Sequence, residues 1–202
     1  MKYSLLFFIT LLLVNISIAQ NTLSKKERKF AADYMKETRD SLLKNIKGLT
    51  DSQLNFKAND SSWNIATILD HIAVSESELM DSLKGRLSLP PNPAKRAEIK
   101  ASDTTVLRVV TDRSSKSKSP PFLQPKGQFK NPQESVNAFL EQRKKNIDFI
   151  MTSQDDFRNH FSGHRLMGVI DAYQSYLLIA AHSMRHTLQI EEVKANPNFP
   201  KL

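Results

Sequence analysis

Ser62-Trp63-Asn64-Ile65-Ala66-Thr67-Ile68-Leu69-Asp70-His71-Ile72 is the stretch on which the fold turns. Ile65, Ile68, Leu69 and Ile72, continued by Leu79, recur with the 3.6-residue period of an amphipathic helix and mark its core face. Ser61 or Ser62 can cap the start. The spacing predicts a helix from Trp63 to about Leu87, which Pro90, Pro91 and Pro93 prevent from continuing. His71 sits at the edge of the apolar stripe, where its ring can face inward.

Working outward, a polar connection at 50–62 carries two embedded apolar residues, Leu54 and Phe56. Before it, a first helix is predicted from Ser24 to about Leu49. Ser24 and Glu27 form a capping-box pair, Phe30, Tyr34, Thr38, Leu42 and Ile46 form the stripe, and Gly48 supplies the stop. On the other side, residues 89–132 hold seven of the nine prolines and read as a long crossover. Thr104–Val110 within it is expected as a short strand or extended arm, and 114–119 has linker composition. Asn131-Pro132-Gln133-Glu134 opens a third helix with proline at its first position. Its stripe is Val136, Phe139, Leu140, Arg143, Ile147 and Ile150, and it fades near Ser153. A connection at 154–168 leads to a last helix from about Val169 to Lys194. Four long helices with a crossover between the second and third predict an all-α four-helix bundle over residues 20–202.

Residues 1–19 are set apart. Lys2, the apolar run from Leu5 to Val14, and Ser17-Ile18-Ala19 give a basic region, an apolar core and a small-x-small cleavage signal. That is a signal-peptide pattern, and the run is short of the roughly 20 residues of a spanning helix. The expectation is an exported protein, periplasmic or secreted, with no stable membrane insertion after cleavage. No cysteine is present, which excludes disulfides, catalytic thiols and a lipidated N-terminal cysteine. Any metal site must then use nitrogen and oxygen ligands.

The net charge is +8, and residues 91–130 contribute nine basic side chains against Glu98, Asp103 and Asp112. Such a patch could draw anions. It lacks interleaved aromatics beyond Phe122 and Phe129, so it is read as a solvated, mobile loop, with no nucleic-acid partner expected. A small-molecule substrate and a homodimer are the partners left to consider.

Ala181-His182-Ser183-Met184-Arg185-His186 holds the chemistry. A spacing of four places both rings on one helix face, where they can converge on one ion. Leu178, Ile179, Gln189, Ile190 and Val193 flank them, so the pair points into the bundle. A third ligand must come from another helix, and His71 is the candidate; read alone, it is more readily a core histidine bonded to a carbonyl. His160 and His164 share the spacing of four but flank Gly163 in a predicted loop, so no second metal site is expected.

The segment from Ser62 to Ile72, together with His182-Ser183-Met184-Arg185-His186-Thr187-Leu188-Gln189-Ile190, resembles the DinB-like family of metal-binding four-helix bundles. Leu54-Asn55-Phe56-Lys57 and Pro125-Lys126-Gly127 fit the same pattern, and the likeness spans nearly all of 24–200. The resemblance implies a divalent ion, zinc or nickel, held by His71, His182 and His186 with coordination positions left open. Three imidazoles with an open position make a catalytic pattern, able to acidify water or polarise a substrate oxygen or sulfur. Family enzymes include thiol-dependent S-transferases and an isomerase. The implied function is a metal-dependent hydrolase or thiol S-transferase, the alternative a non-catalytic metal- or ligand-binding stress-response module. Glu78, Arg185 and Gln189 are candidates to orient ligands or substrate. Trp63 is read as a packing anchor as readily as a site residue.

Overall fold

Each long helix begins on a side chain that accepts from its first-turn amides. The computed structural model describes residues 22–115 and 118–201; the leader expected at 1–19 lies outside them. Helix α1 (Lys25–Ile46) starts at Ser24, whose side chain and that of Glu27 form the full capping box. A one-turn helix α2 (Asp51–Leu54) is capped by Thr50 and sits inside the segment read as a polar connection. Helix α3 (Ile65–Leu87) is capped by Asn64, displacing Ser61 and Ser62 from that role: Ser62 instead turns back to Asn59. Helix α5 (Pro132–Thr152) has Asn131 as cap and proline in its first turn. Helix α6 (Ala172–Lys194) opens with a second capping box between Asp171 and Gln174.

Helices α1 and α3 both pack against α5 and α6, so these four form the bundle with α1 and α3 at opposite corners. Two apolar layers fill it. One gathers Met35, Met80, Leu83, Ile150, Phe157 and Tyr176. The other gathers Leu42, Ile65, Ile68, Ile72, Phe139 and Ile190. On α1 the buried face runs through Ala31, Met35, Thr38 and Leu42, while Phe30 is 43% exposed. A strict spacing of four drifts around a 3.6-residue helix, and alternating fours and threes hold the face.

A buried polar cluster links all four long helices. The Arg143 guanidinium of α5 is wholly enclosed and uses all five of its N–H groups. Two go to Glu76 of α3 at 2.6 and 2.8 Å, two to Met35 O and Thr38 Oγ1 of α1 at 2.7 and 2.6 Å, and one to Ser183 Oγ of α6 at 2.7 Å. Asn146 completes the pocket with a 2.8 Å bond to Glu76. Removing any partner would strand a charge in the core, so the cluster fixes the mutual register of the helices.

The crossover departs from expectation. Thr104–Val110 is neither strand nor arm but the body of helix α4 (Asp103–Thr111), capped by Ser102. Val106 and Val110 bury against Met167, Ile170 and Ala181, so α4 covers one side of α6. Its β-branched composition favours a strand locally. Packing on α6 overrides that preference. This part of the basic segment is therefore docked rather than a solvated loop. Residues 161–171, read as connection and helix start, form a hairpin of β1 (Phe161–His164) and β2 (Gly168–Asp171), paired antiparallel. Gly168 sits at φ +71°, where a side chain would be strained. Among the described residues no helix is long and apolar enough to cross a membrane.

Candidate metal centre

Three imidazoles meet between α3 and α6. His71 reaches in from the second turn of α3, and His182 and His186 project one turn apart from α6. Their ring centroids lie 4.4 to 5.1 Å from one another. His71 Nε2 is 3.1 Å from His186 Nε2, which is 3.2 Å from His182 Nε2. Ligands at 2.0–2.1 Å on a tetrahedral ion stand about 3.3–3.4 Å apart. The observed separations are close to that edge length, and one ligand atom from each ring lies within 4.8 Å of the others.

Two of the rings are oriented from behind. His71 Nδ1 donates to the Leu123 carbonyl at 2.6 Å, and Ser75 Oγ lies 3.4 Å from the same atom. His186 Nδ1 donates to Gln189 Oε1 at 2.8 Å. With both Nδ1 positions carrying the proton, both Nε2 lone pairs turn towards the shared centre. Lone pairs 3.1 Å apart repel unless a cation or a proton lies between them.

Burial resists the proton. It is the first cause of the downward shift on all three rings. For His182, held well below its ordinary value, the neighbouring His186 and His71 add to it. Burial and the nearby His71 bring His186 to about 3. His71 is also lowered, with the Leu123 carbonyl pulling partly the other way. The rings are therefore neutral at neutral pH and free to coordinate. The donor set fits a divalent ion of borderline character.

Trp63 closes one side. Its ring centroid lies 5.0 Å from that of His71 and 6.3 Å from that of His186, near-parallel to the latter. It is a wall of the centre, beyond the packing role sequence alone could give it. The crossover lies over the same region: Leu123 is buried, and Gly127, at φ +62°, donates its amide to Asp70 Oδ2 at 2.9 Å.

Of the three orienting candidates, Gln189 is in place. Arg185 is turned outward to the carbonyls of Val110, Asp112 and Ser115, where it ties the end of α4 to α6. Glu78 is exposed, two turns beyond His71, and lines a groove between α3 and α5 with Glu141 and Lys145. The carboxylate that does enter the bundle is Glu76, two residues earlier, and Arg143 holds it. A signal existed for that pair: Arg143 lies within an otherwise apolar stripe. Leu123 acts through its backbone and left no mark in the sequence. His160 and His164 stand apart from the centre. Both ring nitrogens of His160 face carbonyls, those of Asp156 at 2.6 Å and Leu89 at 2.8 Å, and His164 Nδ1 accepts from the Leu166 amide.

An all-α bundle with three imidazoles converging from two facing helices defines a metal-binding four-helix bundle. The chain belongs to the DinB superfamily, whose family model matches residues 34–190. The uncharacterized protein YuaE of Bacillus subtilis (strain 168) is 27% identical over 149 residues, covering 74% of this chain and 88% of YuaE. YfiT from Bacillus subtilis, described as a probable metal-dependent hydrolase with an unusual four-helix bundle topology, superposes with a TM-score of 0.57 at 19% identity. That alignment covers 89% of this chain and 92% of YfiT, and it carries the fold.

Proposed function

We propose that the protein is an exported metal-dependent enzyme that binds one zinc or nickel ion through His71, His182 and His186. In this reading it hydrolyses a small molecule or transfers a thiol to one. The observation that carries it is the inward turn of the Nε2 atoms of His71 and His186, enforced by the Leu123 carbonyl and Gln189. A bound ion there would supply Lewis-acid chemistry, acidifying water or polarising a substrate oxygen or sulfur. The chain's own part is to hold three neutral imidazoles, fix their tautomers and exclude bulk water with Trp63 and the crossover. The description of YfiT as a probable metal-dependent hydrolase supports hydrolysis as the first reaction to assay. The leader-like residues 1–19 support export, which fractionation of expressing cells tests directly.

Elemental analysis of protein isolated from its native compartment tests the centre. About one ion per chain is expected in the wild type, and none in a variant with all three histidines replaced by alanine. Hydrolysis of activated esters and amides, and conjugation of small thiols to electrophiles, are then compared between the two. A wild type without metal, or a triple variant with full activity, refutes the reading. Metal bound without turnover in any of these assays favours the non-catalytic binding module.

A further inference from the structure

Most buried or part-buried arginines of this protein meet a carboxylate or a set of carbonyls. Arg143 has Glu76, Arg158 has Glu27, Asp103 and Asp171, and Arg28 has the carbonyls of Leu23 and Ile150. Arg86 differs. It stands in the last turn of α3, fifteen residues beyond His71, or about 22 Å along the helix at 1.5 Å per residue. One of its five N–H groups donates to Ser82 Oγ at 2.9 Å, and its Nε is buried with no hydrogen-bond partner. No ion pair engages it among the described residues. Burial alone depresses its pKa, with no neighbouring negative charge to offset that. An arginine N–H removed from water without a partner is costly.

Arg86 lines a cavity of about 160 Å³ together with Asn92, Lys95, Asn159, His160 and Phe161. At roughly 30 Å³ per water this is space for several waters or one small ion. Lys95 also lacks an ion pair among the described residues, and no carboxylate lines the cavity. Asp156, nearby in sequence, is committed to the backbone and side-chain amides of Asn159 at 3.1 and 2.7 Å. His160 turns no lone pair inward, because carbonyls hold both its nitrogens. The wall thus presents two cations and amide donors, and it spans two segments joined by the 2.8 Å bond from Asn92 N to Asn159 O.

We propose that this cavity binds a small tetrahedral oxyanion, phosphate or sulfate, between the Arg86 guanidinium and the Lys95 ammonium. The anion takes the charge-assisted bonds that Arg86 leaves unmade. It bridges the exit of α3 to the chain between α5 and β1, at the end of the bundle remote from the imidazoles.

The test uses metal-loaded protein titrated with inorganic phosphate, followed by thermal unfolding, with sodium chloride as the ionic-strength control. A midpoint that has risen beyond the sodium chloride control at about 10 mM phosphate, and goes on rising with the logarithm of phosphate concentration, is expected, as for any ligand bound to the folded state alone. Arg86→Gln and Lys95→Gln each weaken phosphate binding about tenfold or more, in line with loss of one charge-assisted contact. Lys95 lies on the surface turn, so its variant reports even if Arg86→Gln folds poorly. His182→Ala keeps the phosphate response, which separates this cavity from phosphate bound at the metal. The proposal falls if wild type shows no rise beyond the sodium chloride control, if Arg86→Gln and Lys95→Gln respond as wild type does, or if His182→Ala abolishes the rise. Adsorption to phosphatidylglycerol vesicles without a response to free phosphate also overturns it.

Discussion

Replacing Gln189 with leucine removes the acceptor that holds the His186 Nδ1 proton while leaving the three imidazoles in place. The bond is 2.8 Å long and lies between neutral groups, which on folding alone contributes roughly 1 kcal/mol. Metal binding polarises the ring and strengthens that bond towards the charge-assisted range of about 1.5–3 kcal/mol. The difference between bound and free states, with the freedom of the ring to adopt the wrong tautomer, corresponds to a 10- to 100-fold loss of metal affinity. Glutamate at the same position is a stronger acceptor and should keep or raise the affinity. The assay is competition of zinc between the protein and a chromophoric chelator at constant pH, for wild type, Gln189→Leu and Gln189→Glu. His71 supplies the internal comparison, since its Nδ1 is held by a backbone carbonyl that no substitution removes. Equal affinity in all three proteins, or a weaker site with glutamate than with leucine, would refute tautomer control by Gln189.

Arg143→Met should destabilise the fold by about 3–5 kcal/mol, because Glu76 would be left charged in the core. Thermal unfolding should show a fall of about 6–20 °C, and the joint variant with Glu76→Leu should recover part of it. The metal-free protein should lose stability as pH falls. All three rings take up protons near 6.5 when unfolded but only at lower pH when folded, His182 and His186 well below it, so the unfolded state holds more protons in between. Denaturant midpoints should be level above pH 7 and then drop continuously towards the His186 value of about 3; a profile flat from pH 7 to 5 would contradict the burial of neutral imidazoles. Gly127→Ala should cost about 1–2 kcal/mol from its positive φ alone, since a Cβ there meets nothing within 4 Å. Retention of wild-type stability by that variant would show that the crossover relaxes freely.

Helix, cap and ligand pair were legible because each is written within a few residues. Ser24 with Glu27, Asn131 before Pro132, and the i,i+4 pair of His182 and His186 depend only on local geometry that short spacing fixes. His71 could be assigned as a third ligand through resemblance, because nothing in its own surroundings separated a ligand from a satisfied core histidine. Helix α4 was misread for a related reason: Val106, Val109 and Val110 favour a strand locally, and the neighbour that makes them helical lies some seventy residues away on α6. The hairpin at 161–171 is too short to show a period.

The sequence by itself determined that four amphipathic helices would form, where two of them would be capped, and that two imidazoles would share one helix face. Tertiary structure alone decided that Glu76 rather than Glu78 enters the bundle, that Arg185 ties down α4, and that the Leu123 carbonyl and Gln189 turn two histidine lone pairs to one centre. Spacing along a chain fixes which side chains share a helix face. What stands opposite that face depends on packing between segments far apart in sequence.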